Sequence, residues 1–348
     1  MIFSFSHSAT LETHLAADVA IRSRPNRKTH YPATINMAKE KRTVKQDFSS
    51  IIQIGVIVSN AAATAANLKR LLGWDASNIW ETARVSGRTY HNEPVDFACR
   101  MIFFQLPGIE LEIIQPLLAP SRWQDYLDTC GNGIHHLQFD VANSAQSLSA
   151  LRQSNIEIEQ QGRALPFGEQ VFWAYMDSQP QLGFTMELTN RREFPKHLPQ
   201  AATVTGDYVA LTGVSVVVNN LEQTMRQWER ILGWQPVGQP YRIYGKPYQS
   251  ADSCSLSGAV SYQLPNLEIE LVRPVFGASC RREYLASRGN GLFSLNISLQ
   301  KHADLLPLTQ SGLRILEQGH TICQNQLMRW TTLDSLSQFG FYLNVIYP

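Results

Sequence analysis

Residues 106–116 read LPGIELEIIQP, and 158 positions later residues 264–274 read LPNLEIELVRP. The tripeptide Gly-Asn-Gly at 131–133 returns at 289–291 with the same displacement. A repeat of this length in a constant register indicates two homologous domains in one chain. A comparison of the two copies therefore separates residues that the fold requires from residues that serve chemistry in one copy.

The composition is that of a globular protein with room for two ordinary cores. The chain has 348 residues, of which 44% are hydrophobic and 17% charged, and its net charge is +1. No block of Lys and Arg is interleaved with aromatic residues, which argues against a nucleic-acid partner. No apolar run approaches the roughly 20 residues that span a bilayer, so we expect no membrane partner and a cytoplasmic location. The five cysteines are scattered without a Cys-x-x-Cys pair, which is typical of reduced thiols.

The periodicity of the first copy predicts a βαβββ unit. Residues 51–58 are a β-branched run, and Ser59-Asn60 then precede an amphipathic stretch that ends at Gly73, a pattern typical of strand, helix cap, helix and glycine stop. Three short strands follow at 82–86, 97–105 and 109–115. A second unit is predicted with a strand at 136–141, a helix at 145–153, and strands at 157–160, 171–177 and 185–189. The second copy repeats this scheme from 213 to 347, so we predict an α+β fold of four βαβββ modules.

The repeat also predicts the division of the chain. We expect a poorly ordered leader at 1–48, a metal-binding domain at 49–192, a linker at 193–209, and a degenerate second domain at 210–348.

Four polar residues occupy matching strand positions in the first copy. Alternation along the first strand places Gln53 on the face opposite the helices, and it sends His135 to the core and His136 to the polar face. Glu112 and Glu187 each lie between apolar neighbours in the last strand of their module, so they also face away from the core. Nitrogen and oxygen donors of these types suit Zn, Ni, Co, Mn or Fe(II).

The second copy has lost most of this set. Gly213 replaces Gln53, Ser294 replaces His136, and Asn344 replaces Glu187, whereas Glu270 still matches Glu112. One carboxylate does not hold a catalytic divalent ion tightly. We therefore expect the second domain to act as a scaffold, to cover the first site, or to bind a ligand without metal.

Over residues 50–348 the chain resembles the vicinal oxygen chelate superfamily, which includes glyoxalases, bleomycin resistance proteins and dioxygenases, and the resemblance implies tandem domains with cup-shaped mixed sheets. Residues 131–137 resemble the corresponding segment of methylmalonyl-CoA epimerase, and the candidate donors resemble the Gln/Glu/His/Glu set of animal-type glyoxalase I. The resemblance implies that the metal ligands are Gln53, Glu112, His136 and Glu187. It also implies that Glu187 or Glu112 transfers a proton.

Three functions are compatible with these residues. The first is a divalent-metal-dependent isomerase, epimerase or glyoxalase-like lyase that removes a proton next to a metal-bound carbonyl or thioester oxygen of a small-molecule substrate. The second is an Fe(II) ring-cleaving or 2-oxo-acid dioxygenase, which needs two His and one carboxylate; here Gln53 stands in place of the first His, and the relatives usually carry iron in the C-terminal domain. The third is a non-catalytic protein that binds or sequesters small molecules.

Each of eight other residues has either a functional or a purely structural interpretation. The candidates for pocket or packing positions are Tyr90, His91, Trp123, Phe172 and Trp173. The arginines that could contact an anion or be solvated are Arg163, Arg191 and Arg192. Single-domain relatives pair their subunits, so the chain could form a homodimer, or its fused domains could replace that pairing.

Overall fold

A computed structural model of the protein describes residues 48–81, 85–164, 171–191, 210–248, 253–298, 305–323 and 326–347. They all belong to one compact unit, Val44–Pro348. The predicted leader up to residue 47 and the predicted linker at 193–209 lie outside the described residues. None of the described helices is both long enough and apolar enough to cross a membrane.

The first domain contains two βαβββ modules, as predicted. The first module comprises β1 (Ile51–Ile57), α1 (Ala61–Leu72), β2 (Asn78–Glu81), β3 (Val85–Tyr90), β4 (Glu93–Pro94), β5 (Ala98–Leu106) and β6 (Ile109–Leu118). A helix that the sequence did not predict, α2 (Arg122–Cys130), leads to the second module. That module comprises β7 (Gly133–Asp140), α3 (Ser144–Arg152), β8 (Ile158–Ala164), β9 (Phe172–Met176), α4 (Gln179–Leu182) and β10 (Thr185–Thr189). Of the strand predicted around 82–86, residues 82–84 lie outside the described ranges and residues 85–86 begin β3, while β2 was not predicted.

The second domain repeats this order. Its third module comprises β11 (Ala210–Val217), α5 (Leu221–Gln227) with a π-helical continuation over Trp228–Leu232, β12 (Val237–Pro247), β13 (Ser255–Gln263) and β14 (Glu268–Phe276). After α6 (Cys280–Arg288), the fourth module comprises β15 (Gly291–Ser298), α7 (Leu306–Gln310), β16 (Arg314–Cys323), β17 (Gln326–Asp334), α8 (Leu336–Phe339) and β18 (Tyr342–Tyr347). The prediction of two tandem α+β domains is confirmed.

Each domain is organised around one antiparallel strand pair. In the first domain β1 pairs with β7, while β6 and β10 flank them in parallel. The resulting sheet has the order β2-β5-β6-β1-β7-β10-β9-β8-β3-β4. The second domain has the same central pair, β11 with β15, and closes into a barrel of order β11-β14-β13-β12-β16-β17-β18-β15.

Strand alternation divides the side chains of the first domain between two sides. Ile54, Val56 and Val58 join a core that packs against the helices, whereas Ile57 points to the concave side. The buried cluster on the concave side, called the first cup below, consists of Ile57, Phe97, Cys99, Met101, Phe103, Ile114, Trp123, Tyr126, Trp173 and Tyr175. The first cup is therefore filled largely by aromatic rings.

The two domains share one hydrophobic core that contains residues of both. Trp234 Nε1 donates to the carbonyl of Phe48 at 3.0 Å, and Trp228 Nε1 donates to the carbonyl of Leu182 at 2.8 Å. Phe48 is 1% exposed, so it belongs to the packed structure. These contacts bury the helix side of each sheet against the other domain.

Two equivalent turns meet where the domains join. Asn266 Nδ2 donates to the carbonyl of Ile51 at 2.7 Å and to the carbonyl of Gly108 at 2.6 Å. Gly108 occupies the same place in the first copy as Asn266 in the second. The backbone of Gly108 has φ +81°, a conformation that favours glycine.

Gly340 gives a test of this shared core. A Cβ atom at position 340 would lie 2.6 Å from Val58 Cγ1, and its φ is +83°. We expect Gly340→Ala to lower the free energy of unfolding by about 2–4 kcal/mol, because overpacking adds to the backbone cost. The control is Gly312→Ala, at φ +95° with no atom within 4 Å of the added Cβ, which should cost about 1 kcal/mol. Urea unfolding of both variants measures the difference; equal costs would mean that the domain contact adds nothing.

Candidate metal site

Three of the predicted ligands converge in the first domain. One ligand atom from each of Glu112, His136 and Glu187 lies within 4.8 Å of the others. His136 Nε2 is 2.9 Å from Glu187 Oε2 and 3.6 Å from Glu112 Oε2. All three residues are buried, with His136 fully enclosed. Among the described residues this is the one cluster of its kind, so the second domain offers no counterpart there.

Gly55 makes room for the histidine ring. The β1–β7 pairing places Gly55 opposite His136, and the β1–β6 pairing places it beside Glu112. A Cβ atom at position 55 would lie 1.8 Å from His136 Cε1, so no larger residue fits without moving the ring. Strand alternation alone does not reveal this role of Gly55. A signal was present, since the second copy has Ser215 opposite Ser294 at the equivalent pair.

A β-bulge places His135 on the concave side as well, contrary to the expectation that it would join the core. The register of β1 and β7 shifts between Gly55 and Val56, and Val56 pairs with Ile134. Ile134 therefore takes the core position, and the His135 ring contacts Tyr126 and Tyr175 of the first cup. The same shift occurs in β11 and β15, so the bulge belongs to the fold rather than to the histidines.

His135 supports the orientation of His136. The Nδ1 atoms of the two rings are 3.1 Å apart, which is hydrogen-bonding distance. Burial lowers the pKa of His135 well below its ordinary value, and the neighbouring His136 and Arg122 lower it further, so His135 is neutral near pH 7. A hydrogen bond at Nδ1 directs Nε2 of His136 towards the two carboxylates.

Gln53 lies beside the cluster, and a hydrogen bond fixes its amide nitrogen. Its side chain is 1% exposed, and its Nε2 donates to Glu110 Oε1 at 2.5 Å. Glu110 in turn accepts from Arg191 at 3.0 Å in a buried ion pair. Gln53 pairs with Gln138, two register positions from the Gly55–His136 pair, with Ile54–Leu137 between them. The structure thus brings three predicted ligands together and places the fourth two residues away from Gly55 on the same strand.

Several buried polar atoms at this site lack a hydrogen-bond partner among the described residues. They are Gln53 Oε1, His136 Nε2 and Glu187 Oε2. Although His136 Nε2 and Glu187 Oε2 are close, their geometry is not that of a hydrogen bond. Buried polar atoms without partners cost free energy, and a divalent cation uses such lone pairs as ligands. These residues therefore fit a divalent metal.

Removal from water changes the pKa values of two groups at the cluster, Glu112 and Tyr175. Burial raises the pKa of Glu112 well above its ordinary value, and Glu187 and Glu110 raise it further, while Arg191 lowers it. The pKa of Tyr175 is also raised, by burial and then by the charges of Glu187 and Glu112. A cation placed between the carboxylates would reverse these effects.

Aromatic residues cover the cluster on the cup side. The Tyr175 ring centroid is 4.9 Å from that of His136, and Tyr175 OH accepts from Trp123 Nε1 at 3.0 Å. The Trp123 ring stacks on Trp173 with centroids 5.8 Å apart. Of the pocket candidates, Trp123 and Trp173 therefore line the first cup. Tyr90 is held by a hydrogen bond to Asp125, outside the cluster.

In the second domain, the polar side chains at the equivalent positions have hydrogen-bond partners. Glu270 accepts from Ser215 Oγ at 2.9 Å and from Tyr241 OH at 2.8 Å. Ser294 Oγ donates to Asn296 Oδ1 at 3.1 Å. The second domain thus replaces convergent metal donors with a network of hydroxyl and amide groups.

Comparisons with known proteins place this arrangement among relatives. Residues 52–173 match the family model described as Glyoxalase/Bleomycin resistance protein/Dioxygenase superfamily. The uncharacterized protein YqjC of Bacillus subtilis (strain 168) is 31% identical over 86 residues, which are 24% of this chain. The chain spans 60% of the length of that relative.

One solved structure extends the likeness in fold to both domains. A mutant of 4-hydroxymandelate synthase from Streptomyces coelicolor superposes with a TM-score of 0.56 over 87% of this chain and 92% of its own, at 13% identity. The Mn(II)-bound glyoxalase from Novosphingobium aromaticivorans gives a TM-score of 0.48 over 86% of this chain and 82% of its own, at 10% identity. At such identities a likeness concerns the fold alone. Residues 52–173, which hold three of the four predicted ligands, are thus similar to the glyoxalase/bleomycin resistance/dioxygenase superfamily, also called the vicinal oxygen chelate superfamily.

Proposed function

We propose that the first domain is a divalent-metal-dependent isomerase, epimerase or glyoxalase-like lyase. Its reaction removes a proton from the carbon next to a carbonyl or thioester group of a small-molecule substrate. The observation that carries this proposal is the convergence of Glu112, His136 and Glu187 in a buried site where lone pairs lack hydrogen-bond partners.

The ligands of the metal are Glu112, His136 and Glu187, with Gln53 Oε1 as the fourth donor. One nitrogen and three oxygen donors suit Zn, Ni, Co, Mn or Fe(II). When bound, the metal acts as a Lewis acid that stabilises negative charge on a substrate oxygen. Glu110 holds the Gln53 amide by its nitrogen, which leaves the carbonyl oxygen for this purpose.

Glu112 is the preferred proton-transfer group, and Glu187 is the alternative. A general base works best when its pKa lies near the working pH. Burial, Glu187 and Glu110 raise the pKa of Glu112, and these effects would act on a Glu112 carboxylate released from the metal when substrate binds. A Glu112 oxygen would accept the substrate proton and return it to the neighbouring carbon. Trp123 and Tyr175 exclude water from the exchange, since both are buried beside the cluster.

A dioxygenase is the second candidate. It is supported by the match of residues 52–173 to a family model whose description includes dioxygenases. The residue types favour it less, because the cluster contains one histidine and two carboxylates, whereas Fe(II) oxygenases of this type use two histidines and one carboxylate.

Metal content is the first test of the proposal. Elemental mass spectrometry of the purified protein should find about one divalent metal per chain. His136→Ala and Glu187→Ala should lose it, and the control Glu270→Ala in the second domain should keep it. Absence of metal after reconstitution of the wild type would overturn the proposal.

Reaction type is tested on the metal-loaded protein. We expect deuterium from D₂O to enter acyl thioesters or hemithioacetals next to the carbonyl carbon, with loss of at least 100-fold in rate for Glu112→Gln. Oxygen consumption with 2-oxo acids or catechols, in the absence of deuterium exchange, would favour the dioxygenase.

Gly55 allows a steric test that leaves every ligand in place. Gly55→Ser should abolish metal binding and lower the melting temperature, because the added atoms collide with the His136 ring. The double variant Gly55→Ser/His136→Ser recreates the Ser215–Ser294 pair of the second domain. It should recover the melting temperature of the metal-free wild type without recovering the metal. Normal metal content in Gly55→Ser would show that the ring is not confined as described.

Glu112 should also make the metal-free protein sensitive to pH. Because its pKa is raised in the folded state, its stabilising contribution is complete below the ordinary carboxyl pKa and is lost as the pH rises through the raised value. Glu112→Gln should therefore reduce the fall in melting temperature between pH 5 and pH 8 after chelator treatment. Glu157→Gln is the control, since Glu157 lies in an exposed ion pair with Arg152. An unchanged pH dependence in Glu112→Gln would contradict the prediction.

A further inference from the structure

The barrel of the second domain encloses a cavity of about 270 Å³. Its walls come from β12, β13, β14, β16, β17, β18 and α6, and they include Tyr241, Ser261, Glu268, Glu270, Met328 and Trp330. Gln263 and Gln326 also line it and are exposed, so the cavity reaches solvent on that side. Its volume is just under the roughly 300–1,000 Å³ of pockets for drug-sized ligands, which suits a smaller molecule.

Side chains that fill the first cup are shortened in the second copy, and one of the shortened positions, Ser261, lines the cavity. Phe103 faces Glu112 across β5 and β6, and Ser261 faces Glu270 at the equivalent place. With the same displacement of 158 positions, the inward series Phe97, Cys99, Met101 and Phe103 becomes Ser255, Ser257, Ala259 and Ser261. The loss of metal ligands and the opening of space therefore affect the same region.

The charge of the cavity is negative. Glu268 and Glu270 lie two positions apart on β14, and both line the cavity. Within the described part of the chain neither is in an ion pair. The nearby cation, Arg281, is 3.4 Å from Glu317, and both side chains are at most 2% exposed, so this pair is neutral as a whole. Two carboxylates partly removed from water favour a cationic ligand.

The position of Glu270 is fixed before any ligand arrives. Tyr241 and Ser215 donate to its two oxygens, and Tyr241 OH is also 2.9 Å from Ser261 Oγ. Preorganised acceptors reduce the entropy lost on binding. Burial raises the pKa of Glu268, and the charge of Glu270 raises it further, although a hydrogen bond from Ser261 opposes this.

The opposite wall is mostly apolar and aromatic, and the Arg281 guanidinium carbon lies 4.5 Å from the centroid of the Trp330 ring. Ile243, Met328 and Ile346 line the cavity together with Trp330. Trp330 is 4% exposed, and its Nε1–H has no acceptor among the described residues. A ligand that fits would place a charged nitrogen at the carboxylates and an apolar body against this wall.

We propose that the second barrel is a metal-free binding site for a small organic cation, a primary amine or amidine with an apolar alkyl or aryl body. The carboxylates of Glu268 and Glu270 bind the charged nitrogen, and Met328 and Trp330 contact the body. The site does not depend on a metal in the first domain or on the reaction proposed there.

The full chain, treated with a chelator, is titrated with a series of amines and amidines by calorimetry. The series contains butylamine, phenethylamine and benzamidine, and the matched probes are 3-phenylpropionate as the anion and 2-phenylethanol as the neutral compound. At least one cation should bind at least tenfold more tightly than either matched probe. Binding of no cation in the series, or equal binding of the anion, would overturn the proposal.

Variants then locate the binding. Glu270→Gln and Glu268→Gln each keep a side-chain oxygen acceptor but remove the charge, and each should weaken binding at least tenfold. Ser261→Phe introduces the residue of the first domain and should block the cavity. Glu222→Gln, exposed on α5, and His136→Ala, in the first domain, should bind as the wild type does. Full affinity in the two glutamine variants and in Ser261→Phe would place the ligand elsewhere.

A spectroscopic measurement on the wild-type protein locates the binding even where a variant folds poorly. The chain has seven tryptophans, so the indole N–H signal of Trp330 can be identified in the wild type by its absence in Trp330→Phe. The bound amine should shift this signal in the wild-type protein. An unchanged Trp330 signal at saturation would contradict binding in the barrel.

Discussion

The antiparallel pairing of β1 with β7 is the constraint on which the first domain depends. It joins two modules that each have a parallel partner strand, and so it brings the last strands of both modules to the same site. The bulge in this pair moves two consecutive histidines to the concave side while the core alternation continues on both flanks. The pair and the bulge recur in the second domain, where Phe293 and Ser294 stand in place of the two histidines. The candidate metal site therefore uses a backbone irregularity that the fold already contains.

The repeat and the strand alternation were sufficient to predict the module order and the side of the sheet on which Gln53, His136, Glu112 and Glu187 lie. These features depend on local periodicity, which a sequence displays directly. The role of Gly55 and the position of His135 depend on the register between strands about 80 residues apart in sequence, which alternation does not specify. The buried Glu110–Arg191 pair was missed for the same reason, because position after a last strand suggests solvent rather than a partner on another module.

The two domains illustrate opposite solutions to the cost of buried polar groups. The first concentrates lone pairs and carboxylates without enough hydrogen-bond donors among the described residues, an arrangement that a cation stabilises. The second replaces the same positions with hydroxyls and amides that satisfy one another, and it gains volume where aromatic side chains are lost. Because the core is shared, the stability of each domain is coupled to the packing of the other, and chemistry in one copy can diverge while the scaffold is retained.

The contact between Asn266 and Gly108 has a consequence for the symmetry of the molecule. In a dimer of identical subunits, the turn at a twofold axis would meet its own copy, so both sides would carry the same residue. Two asparagines would crowd the axis, and two glycines would leave the carbonyls of Ile51 and Gly108 without the donor that Asn266 supplies. A covalently joined pair of domains can place glycine on one side and asparagine on the other. The fused chain can therefore form a contact between two different residues at its pseudo-twofold axis. A homodimer of the first domain alone, or of the second domain alone, could not form this contact.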